Sequence, residues 1–217
     1  MSIQKLKVYF LARTLTEEQI AAKRKELIEV AVRILEEEGF QALTLRRLAT
    51  EAGISRTTPY LYFEDKADLL QKICVETYRY LYDECKAAMD QQSGILDKLT
   101  VMGRTYMKFG EEKPTLYRLS FAPENPEDYV APEVLEAAER FRMMAYQPME
   151  EAYNQGLFLI PPDRLNPVLW VCMHGLLSMR WAGHLSEEGA YDRVKVDMEN
   201  ILAIGFLNKD ALPPKEA

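Results

Sequence analysis

Cysteine and histidine are both scarce in this chain of 217 residues, which has three cysteines and two histidines. A sparse, odd set of thiols is typical of a reducing compartment and provides no disulfide framework. On one helix Cys74 and Cys85 would share a face but lie about 16 Å apart, too far for a disulfide. The spacing of His174 and His184 does not resemble a metal site. We therefore expect structural thiols, no metal and no cofactor.

Long apolar runs are also missing from the sequence. No run reaches the about 18–20 residues of a membrane-spanning helix, and the apolar stretch near the N-terminus is too short for a secretory signal. The sequence shows no glycine-rich phosphate loop, no metal-ligand spacing and no Ser-His-Asp constellation. We therefore expect a cytoplasmic protein that is not an enzyme and does not bind a membrane.

The charge is uneven along the chain. The net charge of −7 by itself argues against binding to nucleic acid. Residues 1–70, however, hold eleven basic and eleven acidic residues, so the acidic excess lies entirely in the rest of the sequence. This distribution permits a DNA-contacting head on an acidic body but does not demonstrate one.

The apolar pattern is helical almost throughout and predicts an all-α fold. Helix-capping residues support several boundaries, such as Thr16 with Gln19 at a start and Gly39 at an end. A proline-rich surface loop is expected over residues 122–132. The predicted helices are 17–38, 45–52, 55–62, 66–89, 95–110, 114–120, 132–155, 167–185 and 192–208.

Two of these helices, 45–52 and 55–62, are short and are joined by a tight turn that contains Gly53. That length and composition are typical of a helix-turn-helix motif, whose second helix enters the major groove of DNA. The second helix would expose one charge, hydroxyl groups and two flat or apolar groups, which suit contacts with base edges. The side chains concerned are Arg56, Thr57, Thr58, Tyr60 and Leu61.

The segment from Glu17 to about Leu70 resembles the DNA-binding domain of the TetR family of bacterial regulators. The residues that carry this resemblance are, in order, Ile34–Phe40, Ala42–Thr44, Leu48–Ser55, Arg56–Phe63 and Lys66. The resemblance implies an N-terminal three-helix helix-turn-helix head, residues 1–65. A long helix would join it to a C-terminal ligand-binding and dimerisation domain, residues 66–217. Trp170–Gly175 further resembles the Trp-His-Gly segment of one subgroup.

The resemblance also implies which side chains contact DNA. Contacts with phosphate are expected from Thr44, Thr58, Tyr60, Tyr62 and Lys66. Contacts with bases are expected from Arg56, Thr57 and Leu61, with Arg46 from the preceding helix. A core position is the alternative for Tyr60 and Tyr62, and a solvated face is the alternative for Arg46 and Arg47. Basic residues within 1–15 could form an arm in a minor groove or a frayed end.

Pro59 lies inside the predicted second helix, at a position where a backbone N–H is normally needed. Pro59 and Phe63 are four residues apart, so both should face inward. In the first turn of a helix a missing N–H costs little. We therefore expect Pro59 to stiffen the helix rather than break it.

The C-terminal part is expected to hold a ligand cavity and a dimer surface. Aromatic and methionine residues at helical spacing are mostly core, but they also line adaptable pockets. The expected pocket residues are Tyr106, Phe109, Tyr117, Phe121, Met143, Tyr146, Trp170 and Met173. The expected dimer residues are Leu176, Leu177, Met179, Val194, Ile201 and Ile204.

Together these features predict a ligand-responsive regulator that binds a double-stranded DNA operator as a homodimer. The expected output is repression that a small molecule relieves. The alternative is an all-helical small-molecule-binding protein without DNA recognition, which the acidic total charge favours.

Overall fold

The computed structural model describes residues 16–122 and 131–211, and these residues form eight α-helices and no β-strand. The all-α prediction is therefore confirmed. The helices are α1 (Glu17–Glu38), α2 (Leu45–Glu51), α3 (Lys66–Asp90), α4 (Ile95–Glu112), α5 (Pro114–Phe121), α6 (Pro132–Asn154), α7 (Pro162–Trp181) and α8 (Ala190–Phe206). The N-terminal arm and most of the predicted 122–132 loop lie outside the described residues. Within the described ranges, no helix is both long and apolar enough to cross a membrane.

The described residues divide into two compact units. The first contains residues 16–78, 115–122 and 131–137, and the second contains residues 79–114 and 138–211. Helices α3 and α6 contribute to both units, whereas the expected boundary lies between residues 65 and 66. The functional division at that boundary stays a prediction.

Helix α1 begins and ends as its sequence predicts. The backbone N–H of Gln19 donates to the Thr16 hydroxyl at 3.2 Å, and the Thr16 N–H donates to the Gln19 side chain at 2.9 Å. This reciprocal pair satisfies two N–H groups that the first helical turn leaves open. The helix ends at Gly39, whose φ of 84° is a conformation that side-chain-bearing residues rarely adopt.

Helix α2 is fixed by a cap at each end. The Thr44 hydroxyl accepts a hydrogen bond from the Arg47 N–H at 3.0 Å. At the other end Gly53 has φ 64°, its N–H donates to the Thr50 carbonyl, and the Ile54 N–H donates to the Ala49 carbonyl. These bonds form a Schellman motif, which satisfies the last carbonyls of the helix and reverses the chain.

The predicted helix over 55–62 is wrong, because only Thr58–Leu61 is helical and it forms a 3-10 turn. In an α-helix capped at Ser55, the N–H of residue 59 would bond to the Ser55 carbonyl. Pro59 has no N–H and its ring crowds that carbonyl. The Thr58 N–H bonds to the Ser55 carbonyl instead, at 3.0 Å. We call Thr58–Leu61 the recognition turn.

The second unit has its own apolar core, and this core explains why α7 starts earlier than predicted. The core is built from Met149, Ala152, Phe158 and Leu165, with partly buried neighbours around them. Helix α7 begins at Pro162, five residues before the predicted start at residue 167. A proline at the first helical position loses no intrahelical bond, and the first turn thereby buries Leu165.

Helix α7 also ends earlier than predicted, at Trp181 rather than at residue 185. Gly183 adopts φ 77°, and its N–H donates to the Arg180 carbonyl while the His184 N–H donates to the Met179 carbonyl. This is a second Schellman motif, which stops the helix at this point.

A polar cluster ties α8 to α4 within the second unit. The Tyr191 hydroxyl and the Lys195 ammonium each donate to a Glu111 carboxylate oxygen at 2.6 Å. Burial alone would raise the pKa of Glu111, but the hydrogen bonds from Lys195 and Tyr191 lower it below the ordinary value. The carboxylate is therefore ionised near neutral pH and holds both donors.

Two of the thiols are structural, as expected. Cys74 and Cys85 are buried in α3, and burial raises the pKa of each to about 12. Such thiols stay protonated and unreactive near neutral pH. Cys172 on α7 is half-buried.

Replacing Gly39 and Gly103 by alanine tests whether backbone conformation or the space around the side chain decides if a glycine can be substituted. An added Cβ meets nothing within 4 Å at either position. Gly39 has a positive φ, so Gly39→Ala should lower the free energy of unfolding by about 1–3 kcal/mol. Gly103 lies inside α4, so Gly103→Ala should raise it by up to about 1 kcal/mol. Urea unfolding of both variants measures the difference. Equal changes in the free energy of unfolding would contradict the positive φ of Gly39.

Candidate nucleic-acid interface

The helix-turn-helix scaffold lies entirely within the first unit and has a continuous apolar interior. Its elements are α1, α2, the recognition turn and the start of α3. Pro59 and Phe63 are buried, so the prediction that both face inward is confirmed. The other buried residues of the scaffold include Leu43, Leu45, Leu48, Ala49 and Leu69. Short elements such as α2 depend on this burial, because a helix of its length is unstable alone.

The side of residues 56–61 that lies away from this interior faces solvent. Arg56 and Thr57 are exposed, and the Tyr60 side chain is 59% exposed. Thr58 and Leu61 are half-buried. In a 3-10 turn, residues three apart lie above one another, so Leu61 follows Thr58 along one edge. The exposed surface therefore combines a guanidinium, hydroxyls and an aromatic ring.

Three hydroxyl groups meet at the start of the recognition turn. The Ser55 oxygen lies 2.7 Å from the Thr58 hydroxyl and 3.1 Å from the Thr57 hydroxyl. Because a hydroxyl can donate once and accept twice, this cluster keeps capacity for an outside partner. Ser55 was not among the predicted DNA contacts, although the run Ser55–Thr58 shows three hydroxyl residues in four.

The two tyrosines of the segment lie in different environments. Tyr60 points into solvent, whereas Tyr62 is only 7% exposed. The structure therefore places Tyr62 in the core, which is the alternative left open for it and a correction to its predicted surface role. The physical reason is the 3-10 geometry: Tyr62 follows the recognition turn directly and packs inward beside Phe63.

The two arginines of α2 also differ. Arg46 is exposed. Arg47 forms ion pairs with Glu38 at 2.5 Å and with Glu51 at 2.7 Å, so it joins the end of α1 to α2. Arg46 is thus the arginine of α2 that is presented to solvent, while Arg47 braces the scaffold.

Lys66 has a structural partner that the sequence did not reveal. Its ammonium donates to the Phe40 carbonyl at 2.9 Å and lies 4.4 Å from the centre of the Phe40 ring. Partial burial lowers the pKa of Lys66. The side chain therefore closes the turn that leads from α1 to Thr44 and α2. Its contact with phosphate stays a prediction.

The predicted pocket residues are distributed over both units. In the first unit, the Tyr117 and Phe121 rings lie 4.9 Å apart. In the second unit, Tyr106 and Phe109 are buried. The indole N–H of Trp170 donates to the Tyr106 hydroxyl at 3.0 Å. The remaining predicted residues, Met143, Tyr146 and Met173, are half-buried.

His174 is half-buried on α7. Its ring stacks on Trp170 at 5.4 Å, and burial lowers the pKa of His174. A shallow cleft of about 240 Å³ opens elsewhere in the second unit, at the end of α8. Its lining contains none of the predicted pocket residues, so the location of a ligand stays a prediction. The lining residues are Asn200, Ala203, Ile204, Leu207 and Lys209.

The predicted dimer surface is partly corrected. Leu176 and Leu177 are buried within their own chain and are not available to a partner. The other four predicted residues are exposed, and two exposed valines of α7 were missed. Spacings of three and eight residues on α7, and of seven and three residues on α8, place each set on one helix face. The exposed apolar residues on these faces, which we call the apolar stripe, are Val168, Val171, Met179, Val194, Ile201 and Ile204.

Two family models match separate parts of the chain. Residues 27–73 match the model of bacterial regulatory proteins of the tetR family, and residues 99–196 match that of the tetracyclin repressor-like C-terminal domain. The transcriptional repressor KstR2 of Mycolicibacterium smegmatis is 28% identical over 85 residues, which cover 39% of this chain and 42% of that protein. The chain thus spans less than half the length of the first curated relatives it matches.

Two solved structures show the breadth of the fold. A protein of unknown function from Rhodococcus sp. RHA1 has a TM-score of 0.74 at 23% identity, with 85% of this chain and 95% of that chain covered. The regulator FadR of Bacillus subtilis, solved with stearoyl-CoA, has a TM-score of 0.67 at 15% identity, with 82% and 97% covered. At these identities the likeness is one of fold.

The two family models describe the two parts of one kind of regulator, and together they match more than half of the sequence. The Trp-His-Gly subgroup stays a prediction. The expected family, in contrast, is confirmed: the chain belongs to the TetR family of bacterial regulatory proteins.

Proposed function

We propose that the protein is a DNA-binding transcriptional repressor that a small-molecule effector releases from its operator. One observation carries the proposal: the exposed side chains of Arg56, Thr57 and Tyr60, at and just before the recognition turn, stand on a buried scaffold that fixes the backbone. Side chains of this kind, held rigidly, suit contacts with base edges and phosphates. We propose that the protein acts in the cytoplasm, where an operator is accessible.

The proposed contacts fall into two groups. Arg56 and Thr57 read bases, because a guanidinium pairs with guanine and a hydroxyl pairs with several base edges. Tyr60 and the hydroxyls near Ser55 bind phosphate, which positions the head without reading sequence. Arg46 adds a charge from α2. This division predicts that losing Tyr60 weakens binding to all operators alike.

The proposed active form is a homodimer. The apolar stripe on α7 and α8 is unusual for a solvent-facing surface, and these two helices pack against each other. Packing the stripe against its copy would remove this apolar surface from water. Two heads on a symmetric dimer can read two half-sites, which one head alone cannot do.

We propose that the effector is largely apolar. Tyr106, Trp170 and His174 form a connected aromatic group in the second unit, in which the Trp170 indole N–H donates to the Tyr106 hydroxyl and the His174 ring stacks on Trp170. The structural neighbour FadR was solved with stearoyl-CoA, so long-chain acyl-CoA is a suitable first probe. An effector acts by binding one conformation better than another, which shifts the population away from the operator-binding form.

Tyr60→Phe tests the DNA contact. The change removes one hydroxyl from an exposed ring, so operator affinity should fall at least about tenfold through the lost bond to phosphate. The salt dependence should stay constant because no charge is lost, and the melting temperature should not move. Tyr153→Phe, at another exposed tyrosine, is the control. A large loss of stability from Tyr60→Phe would instead place Tyr60 in the core.

Ile201→Glu tests the apolar stripe. Ile201 is 69% exposed, so the isolated chain should tolerate the change. Burying an unpaired carboxylate costs about 3 kcal/mol or more, so the dimer should dissociate about a hundredfold more readily. Val196→Glu, on the same helix but off the stripe, is the matched control. Sedimentation measures both variants, and a dimeric Ile201→Glu chain would refute this interface.

Coupling between effector and operator is tested with compounds that stabilise the chain. Stearoyl-CoA and other compounds with a long acyl chain are screened for those that raise the melting temperature. Such compounds should lower operator affinity by about five- to 150-fold, the usual range of coupling between two sites. Operator binding is measured with and without each compound. A stabilising compound that leaves operator affinity unchanged would reject the coupling.

A further inference from the structure

Pro59 controls the backbone conformation of residues 55–61, the segment that we propose contacts DNA. Its ring is buried. Because residue 59 has no N–H, the Ser55 carbonyl accepts its hydrogen bond from the Thr58 N–H. The first turn therefore closes over three residues instead of four. Building on the proposed function, we propose that Pro59 is a specificity-determining positioning residue. By excluding an α-helical first turn, it sets the register in which the exposed side chains meet the base edges.

The difference between the two turn types is large enough to matter for base reading. Across three residues, an α-helix rises about 4.5 Å and turns about 300°, whereas a 3-10 helix rises about 6 Å and completes a full turn. Thr58 is therefore displaced relative to Ser55 by about 60° and about 1.5 Å compared with an α-helix, and Arg56 and Thr57, the proposed base readers, lie within this turn. Hydrogen bonds to base edges tolerate only a few tenths of an ångström. A change of register therefore alters which bases are read.

The segment is anchored on both sides, so a change of register stays local. Upstream, the Ile54 N–H is held by the Ala49 carbonyl of α2. Downstream, the N–H groups of Tyr62 and Phe63 both donate to the Pro59 carbonyl, at 3.0 and 2.9 Å, and Phe63 is buried. A substitution at position 59 thus changes the orientation of the side chains between Ile54 and Phe63 without moving the scaffold.

Pro59→Ala and Pro59→Leu test the inference together. Both variants restore the N–H at residue 59, but Ala reduces the buried side-chain volume whereas Leu enlarges it. Each chain is incubated with a pool of randomised DNA duplexes, and the bound sequences are determined. Both variants should select a motif that differs from that of the original chain at the same half-site positions. Each should also bind the original motif at least about tenfold more weakly, with an unchanged salt dependence.

Pro148→Ala is the matched control. Pro148 also lies inside a helix, α6, but belongs to the second unit. This variant should select the original motif. A change of motif in the control would mean that general loosening of the chain, rather than the turn at position 59, alters selection, and it would overturn the inference.

Amide exchange gives a second measurement that needs no DNA. In the two Pro59 variants, the new N–H at residue 59 should be protected by a bond to the Ser55 carbonyl. An unprotected amide in a folded variant overturns the inference, as does an unchanged motif or a shift confined to Pro59→Ala. If the original chain selects no sequence at all, the proposed function itself fails, and the exchange result still decides the backbone assignment.

Discussion

The structure of the proposed reading surface depends on one absent hydrogen-bond donor. Without an N–H at Pro59, the Ser55 carbonyl is bonded by Thr58, and the segment becomes a 3-10 turn. The same proline is buried in the scaffold, on the side opposite the exposed residues. The exposed residues Arg56, Thr57 and Tyr60 owe their arrangement to this local constraint.

The scaffold converts that local constraint into a rigid surface. The Schellman motif at Gly53 fixes where the segment begins, and buried Phe63 fixes where it ends. Arg47 and Lys66 brace the adjoining helices through Glu38, Glu51 and the Phe40 carbonyl. A surface held in this way loses little entropy on binding, which favours affinity.

Sequence patterns predicted the elements whose boundaries depend on local chemistry. Thr16 and Gly39 marked α1 because capping groups act within a few residues. The prediction of a helix over 55–62 was wrong because Pro59 stands where an N–H would have to bond to the Ser55 carbonyl in an α-helix. The start of α7 was missed because the burial of Leu165 is a tertiary effect.

Sequence alone does not separate a surface role from a structural role when a side chain suits both. Tyr62 is a residue type that can bind phosphate, and Leu176 and Leu177 are residue types that can form a dimer interface, but all three are buried. Lys66 has the charge for a phosphate but also bonds to a carbonyl that is distant in sequence. Spacing alone could have found Val168 and Val171, which share a helix face with Met179 and are exposed with it.

The few charges of the head link DNA binding to the apolar stripe. Binding to DNA gains affinity mainly from cations that release counterions, and the proposed contact surface offers Arg46, Arg56 and Lys66, the last already bonded to a carbonyl. One head therefore gains little from the phosphate backbone. Joining two heads makes the second contact intramolecular, which multiplies affinity without new contacts at either head. Ile201 and its neighbours on the stripe would supply that joining surface, so operator binding and dimerisation should fail together.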